Sequence, residues 1–242
     1  MKDAPFTILS NAPLTNAVYE LTLAGDTAGI VPGQFVNVRL PGFYLRRPIS
    51  VCDRSPGRLT LVYKVVGAGT DALAKRVPGE TLDLLTPLGN GYDLTKAGQR
   101  PLLVGGGVGV PPLYLLAKEL ISAGKAVRVV LGFNTKAEVF YEDRFLALGC
   151  EVTVATADGS YGVKGFVTDA LPENYTYFYA CGPVPMLKAL CEKMKTEGEL
   201  SLEERMGCGF GACMGCTHQT KSGPKRVCKE GPVFRKEELL WT

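Results

Sequence analysis

The sequence predicts three units in series: an N-terminal antiparallel β-barrel over residues 1–98, a parallel-sheet α/β domain over 99–199, and a small cysteine-rich module over 200–242. Three observations carry that division. Short alternations of polar and apolar residues fill the first part, and strand–helix alternation replaces them after Gly98-Gln99-Arg100-Pro101. Four of the eight cysteines then crowd between positions 208 and 228.

In the first unit, Val18 to Leu23, Gln34 to Leu40 and Arg58 to Lys64 alternate with period two and read as strands. Pro32-Gly33, Pro41-Gly42, Pro56-Gly57 and Pro78-Gly79 separate them, and several short strands so closely spaced suit a small barrel. A short helix is expected at Thr70 to Val77, with Thr70 as its N-cap. In the second unit, Leu102-Leu103-Val104, Val127 to Leu131, Val152 to Val154 and Tyr177 to Tyr179 suit buried parallel strands. Pro112 to Ala123, Glu142 to Leu148 and Val184 to Lys195 carry helical spacing between or after them. From about Glu199 the chain has little apolar periodicity, so its order is expected to come from something other than hydrophobic packing.

A composition of 46% hydrophobic and 21% charged residues is that of an ordinary globular chain. The formal net charge of +3, with no cluster of Lys and Arg, argues against nucleic acid. Met1-Lys2-Asp3-Ala4-Pro5 leads into no apolar run with a cleavage site, so no signal peptide is read. Pro101 to Ala117 is uncharged but interrupted by four glycines and three prolines, and no membrane span is expected. The expected location is cytoplasmic, where thiols stay reduced and eight cysteines need another reason.

That reason is the spacing Cys208-x4-Cys213-x2-Cys216-x11-Cys228, whose first three positions match a plant-type [2Fe–2S] site. Four thiolates must converge on two irons. Gly207, Gly209, Gly211 and Gly215 let the chain wrap tightly and bring N–H groups to the sulfurs. Structural zinc is the rival, but zinc ribbons present paired C-x2-C knuckles and only one such pair exists here. His218 is the sole histidine, which excludes a Rieske centre. The last spacing is shorter than that of plant ferredoxins.

After the first α/β strand comes Gly105-Gly106-Gly107-Val108-Gly109-Val110-Pro111-Pro112 and then a helix. Glycines admit a pyrophosphate close to the backbone, and the helix start offers free N–H groups; the alternative is a plain tight turn. Asp158, in Thr156-Ala157-Asp158-Gly159-Ser160, suits ribose hydroxyls and repels a 2′-phosphate. No arginine follows the second strand, although Lys136 does, and the balance favours NAD over NADP. Cys181, before Gly182-Pro183, reads either as a small buried residue or as a group beside the nicotinamide.

The barrel holds Arg47-Pro48-Ile49-Ser50, then Val62-Tyr63-Lys64 and Gly67-Ala68-Gly69-Thr70. An arginine, a hydroxyl and a glycine-led helix start are suitable partners for a second diphosphate. In this order, R-x-x-S, G-T, the glycine-and-proline loop, D-G-S and C-G-P resemble the ferredoxin–NADP reductase superfamily over about residues 1–200. That family usually has tyrosine where Ile49 stands. The R-P-I-S variant, joined to the cysteine module and Gly231-Pro232-Val233-Phe234, closely resembles the electron-transfer-subunit family of class 1B dihydroorotate dehydrogenases. The resemblance implies FAD between barrel and α/β domain, with Arg47, Gly69 and Thr70 at its diphosphate. Pro48, Ile49 and Ser50 would lie by the isoalloxazine, flanked by Val62, Tyr63 and Lys64. NAD would dock at Gly105, Gly106, Gly107, Gly109, Asp158, Cys181 and Gly182, and Cys208, Cys213, Cys216 and Cys228 would hold the cluster. The implied partner is an FMN-containing dihydroorotate dehydrogenase subunit, in a heterotetramer of two of each chain. The sequence contains no acid–base set for dihydroorotate itself, so that oxidation is expected on the partner. The alternative is a diaphorase subunit of a hydrogenase, sulfite reductase or ferredoxin:NADP transhydrogenase complex, and a zinc-stabilised flavoprotein is a third class.

Overall fold

Twelve residues at the N-terminus, β1 (Lys2–Pro13), open a closed six-stranded barrel in a computed structural model that describes residues 1–241. The other barrel strands are β2 (Val18–Ala24), β3 (Phe35–Val38), β4 (Arg47–Ser55), β5 (Arg58–Lys64) and, after the short helix α1 (Ala68–Ala74), β6 (Thr81–Leu88). They close in the order β1-β2-β5-β4-β3-β6, every pair antiparallel. Neither β1 nor β6 stands out in the sequence. Pro5, Pro13 and Pro87, a residue type confined to strand edges and ends, mask the alternation that buries Phe6, Ile8, Leu82 and Leu84. Helix α1 also begins earlier than its sequence indicates. Gly67 is the N-cap, and Thr70 sits three residues inside with its Oγ1 accepting the N–H groups of Val66 and Gly67.

The second sheet is built from β7 (Leu102–Gly106), β8 (Arg128–Phe133), β9 (Glu151–Thr156), β10 (Val163–Lys164) and β11 (Phe178–Cys181). Helices α2 (Pro112–Ser122), α3 (Glu142–Ala147) and α4 (Val184–Lys193) alternate with them. Two further strands come from the last part of the chain: β12 (Gly198–Ser201), parallel to β11, and β15 (Val233–Arg235), antiparallel to β12. The sheet order is β10-β9-β8-β7-β11-β12-β15, and between β12 and β15 the chain forms the hairpin β13 (Thr217–Thr220) and β14 (Gly223–Arg226). The tail is therefore not organised by its cysteines alone. Leu200, Leu202, Val227, Phe234 and Leu239 are buried and share a core with Leu102, Val104 and Phe178 of the sheet.

Barrel and sheet are joined by α2. Leu113, Leu116 and Leu120 pack in one cluster with Val18, Cys52 and Val62 of the barrel. Lys118 pairs with Asp53 at 2.8 Å and Glu119 with Arg54 at 3.2 Å across the same seam. A buried polar chain adds to it. The Cys52 thiol donates to the Tyr141 hydroxyl at 3.2 Å, which donates to Glu20 at 2.5 Å, and Arg144 holds the same carboxylate. Burial above all keeps the Cys52 thiol and the Tyr141 hydroxyl protonated. No helix among the described residues is long and apolar enough to cross a membrane.

Candidate functional site

Strand β4 begins at Arg47, and its alternation decides which of the R-P-I-S side chains face outward. Ile49 is 6% exposed and turns into the barrel beside Val36, Val51 and Leu61, whereas Pro48 is exposed and Ser50 half-buried. Ile49 thus presents only its backbone to a ligand on the outer face. The Arg47 guanidinium lies on the first turn of α1: a Cβ on Gly69 would fall 2.0 Å from its Nε, so glycine is what lets arginine and helix meet. Its other face covers the Phe43 ring at 4.9 Å. Thr70 donates to the Gly67 carbonyl at 3.1 Å while accepting from the two N–H groups, which fixes the turn under Arg47. Val62 is buried at the seam with α2, and Lys64 is exposed. Tyr63 stacks on Tyr19 inside the barrel core and donates to Asn11 at 3.0 Å.

The strand order reverses about β7, with β8 on one side and β11 on the other, so the crevice of the open sheet lies at their carboxyl ends. Gly105, Gly106, Gly107 and Gly109 on one side meet Cys181 and Gly182 on the other. A Cβ on Gly109 would lie 2.2 Å from the Cys181 carbonyl oxygen, and one on Gly106 would lie 2.6 Å from the Met186 sulfur. These glycines therefore let two loops pack together. Gly107, at φ +52 with nothing within 4 Å, is the one that faces open space. Cys181 pairs in register with both Gly105 and Ser201. Burial raises its thiol to about 12 against a bond from Ser201, so it is a neutral thiol at pH 7. Asp158 is exposed at the end of β9. Its carboxylate accepts from the Ser160 hydroxyl and N–H, which lower its pKa, and Ser160 in turn accepts the Lys136 N–H at 2.8 Å. The ends of β8 and β9 are thus tied together at the carboxyl edge of the sheet.

The four clustered cysteines fall into two pairs. Ala212 and Cys213 aim their N–H groups at the Cys208 sulfur from 3.2 and 3.4 Å, and Cys208 and Gly215 aim theirs at Cys213 from 3.4 and 3.5 Å. The Cys228 N–H points at the Cys216 sulfur at 3.4 Å. Gly209 and Gly211, with φ of +80 and +93, allow that wrap, and Met214 takes a positive φ of 61 as well. Burial works to raise the Cys208 thiol, but the N–H groups of Cys213, Phe210 and Ala212 and the Cys213 side chain outweigh it and bring it to about 6. Cys228 is raised to about 12, first by burial and then by Cys216 beside it. No disulfide joins any of the eight cysteines. Two pairs suit two irons with two thiolates each.

Two residues that the sequence did not single out frame this loop. Arg226 donates to the Gly211 carbonyl at 2.7 Å and is held by Glu230, whose carboxyl it brings down to about 2. The basic residue two places before Cys228 was a signal for it. Asn37 on β3 donates to the Cys208 carbonyl at 3.1 Å, and its ladder partner on β4 is Pro48. The cysteine loop therefore lies one strand from R-P-I-S. A cavity of about 160 Å³ between Leu88, Gly89, Phe210, Cys228 and Lys229 marks the same junction.

Comparison with known proteins adds the following. The iron-sulfur cluster binding domain of dihydroorotate dehydrogenase B matches residues 203–240, and the oxidoreductase NAD-binding domain matches 103–192. The "Dihydroorotate dehydrogenase B (NAD(+)), electron transfer subunit" of Geobacillus sp. (strain WCH70) is 48% identical over 99% of both chains. That of Bacillus caldolyticus is 49% identical over 97% of both. Among solved structures, one reported for flavin-based electron bifurcation by an NADH-dependent reduced ferredoxin-NADP oxidoreductase superposes with a TM-score of 0.90. It is 34% identical, over 98% of this chain and 90% of that one. An Amycolatopsis cytochrome P450 reductase, 23% identical with a TM-score of 0.71, shares the fold over 80% of this chain and 66% of its own.

Proposed function

Because this chain belongs to the family of electron transfer subunits of NAD-dependent dihydroorotate dehydrogenase B, we propose that it carries electrons from a catalytic partner to NAD through a [2Fe–2S] cluster and FAD held by the residues described above. The family makes it an NAD-linked oxidoreductase of pyrimidine biosynthesis whose substrate-oxidising site is on another chain. The diaphorase alternative is not favoured: relatives 48–49% identical carry the dihydroorotate name, against 34% for the ferredoxin-NADP structure. On this reading the chain divides at 98/99 and 199/200, assembles with its partner as a heterotetramer of two of each chain, and works in the cytoplasm. The second division falls inside β12, so the cluster module would share a strand with the NAD domain.

When bound, FAD exchanges a hydride with NAD and single electrons with the cluster, and the chain supplies position and electrostatics. Arg47 would set a fixed positive charge and a planar donor fork against the FAD diphosphate, seated by Gly69 and Thr70. The free backbone at Gly107 would take the NAD pyrophosphate, and the neutral Cys181 thiol would border the nicotinamide without competing as a nucleophile. N–H groups around Cys208 and Cys213 would disperse the negative charge of the cluster. The observation that carries the reading is the tie from Asn37 to Cys208, which sets a paired-thiol loop beside the proposed flavin strand. The purified chain should therefore hold one FAD and about two acid-labile sulfides, as a [2Fe–2S] site requires. Bound zinc without sulfide would overturn it.

A further inference from the structure

We propose that Asn37 is a positioning residue for electron transfer: it seats the cluster loop against the flavin strand and, by donating to the carbonyl of Cys208, polarises the first cluster ligand. The inference rests on the assignment of Cys208 to the cluster and of β4 to the flavin, and goes beyond both. Asn37 is 1% exposed. Its neighbours Val36 and Val38 turn into the barrel, and Phe35 packs in the core shared with Cys216 and Cys228. An amide at this place is out of keeping with its surroundings. Its Nδ2 has one bond, to the Cys208 carbonyl, and its Oδ1 is buried without a hydrogen-bond partner among the described residues. A leucine of similar size would fill the space without an unpaired polar atom, so packing alone disfavours the asparagine. What the asparagine does, and leucine cannot, is donate.

Gly209 supplies a second, independent observation. Its φ is +80, and a Cβ there would fall 1.9 Å from Asn37 Nδ2. The loop is thus bare of a side chain at the point where the amide enters it. On the other side, Asn37 pairs with Pro48 in the β3–β4 ladder, and Arg46 Nη1 reaches the Asn37 carbonyl at 3.5 Å while bonding Asp3. One residue therefore connects the backbone of the first cysteine ligand to the strand beside Pro48 and Ser50. Hydrogen bonding outside the ligand sulfurs tunes a metal centre much as the ligands do, and a donor withdraws charge and favours the reduced, more negative state.

The test uses the full chain with its cofactors, as Asn37→Leu and Asn37→Val. Both fill the site with apolar groups and lose the donor. Both should retain FAD and sulfide and should keep the wild-type rate of flavin reduction by NADH. Both should show a cluster midpoint potential displaced downward, an altered electron paramagnetic resonance signal of the reduced cluster, and several-fold slower electron transfer from flavin to cluster. A residue that merely filled space would leave the potential of the leucine variant at the wild-type value, and that result with full sulfide overturns the proposal alone. Loss of sulfide in both variants overturns it as well, by making Asn37 a folding residue. A wild-type chain without sulfide would instead defeat the cluster assignment on which it rests.

Discussion

Asp158 shows what a single side chain adds to cofactor choice. It is exposed, ionised and tied to Ser160, whose hydroxyl also takes the Lys136 N–H, so the carboxylate stands fixed past the end of β9, where we propose that the ribose binds. A 2′-phosphate there would face a like charge, and NADH should reduce the flavin better than NADPH. Asp158→Ala should narrow that preference, as read from stopped-flow reduction with each nucleotide. A wild-type chain that prefers NADPH would reverse the assignment. The candidate residues differ in how far the sequence exposed them. The four cysteines, Asp158 and Arg47 stand out in the sequence because their residue types can carry such chemistry. The orientation of the Ile49 and Tyr63 side chains does not, because a period-two strand puts neighbours on opposite faces and only the barrel decides which face is core.

At the scale of elements, the turn from Val66 to Thr70, which follows β5, links a helix start to an arginine on the neighbouring strand β4. Thr70 accepts two N–H groups from inside the helix, and this holds Gly69 where Arg47 packs on it. Thr70→Ala should lose about 1 kcal/mol of local stability, as other helix-cap hydroxyls do. FAD binding should weaken about five- to tenfold with it, measured by fluorescence titration of the apoprotein. Unchanged affinity would separate the turn from the flavin site. Short elements of this kind are hard to place from sequence. Glycine at 67 and threonine at 70 both suit an N-cap, and the choice fell to Gly67 because its backbone is extended while the Thr70 hydroxyl reaches back. Strands β12 and β15 were illegible for a related reason: Gly198–Ser201 and Val233–Arg235 are short, and their partners lie far along the chain.

For the whole molecule, the consequence is division of labour between chains. Hydride exchange needs only the barrel and the α/β domain, which α2 and the Glu20–Tyr141–Arg144 lock hold in one arrangement. The isolated chain should therefore oxidise NADH with a dye acceptor, yet show no dihydroorotate oxidation. An added FMN-containing dihydroorotate dehydrogenase subunit should confer dihydroorotate-to-NAD transfer in a coupled absorbance assay. Cys213→Ser should abolish that transfer while the dye reaction persists, because the cluster loop and the nucleotide crevice are built from separate segments. Phe210 and Met214, 44% and 53% exposed on the cluster loop, are apolar candidates for the contact. A partner that neither binds nor gains NAD-linked activity would remove the dihydroorotate assignment.

By itself the sequence determined the three-unit order, the parallel sheet with its glycine loop, and the four thiols with their spacing. Each of these is written locally, in a period, a turn or a motif a few residues long. Tertiary structure alone decided the rest. It added β12 and β15 to the edge of the α/β sheet, divided the thiols into two pairs, and turned Ile49 away from the outer face. It also brought Asn37 to Cys208 across 171 positions of chain. The physical reason is common to all four. Burial and hydrogen-bond satisfaction are settled between segments distant in sequence, and a residue such as Asn37, polar in an alternating strand, reads as solvent-facing until the surface that covers it has folded against it.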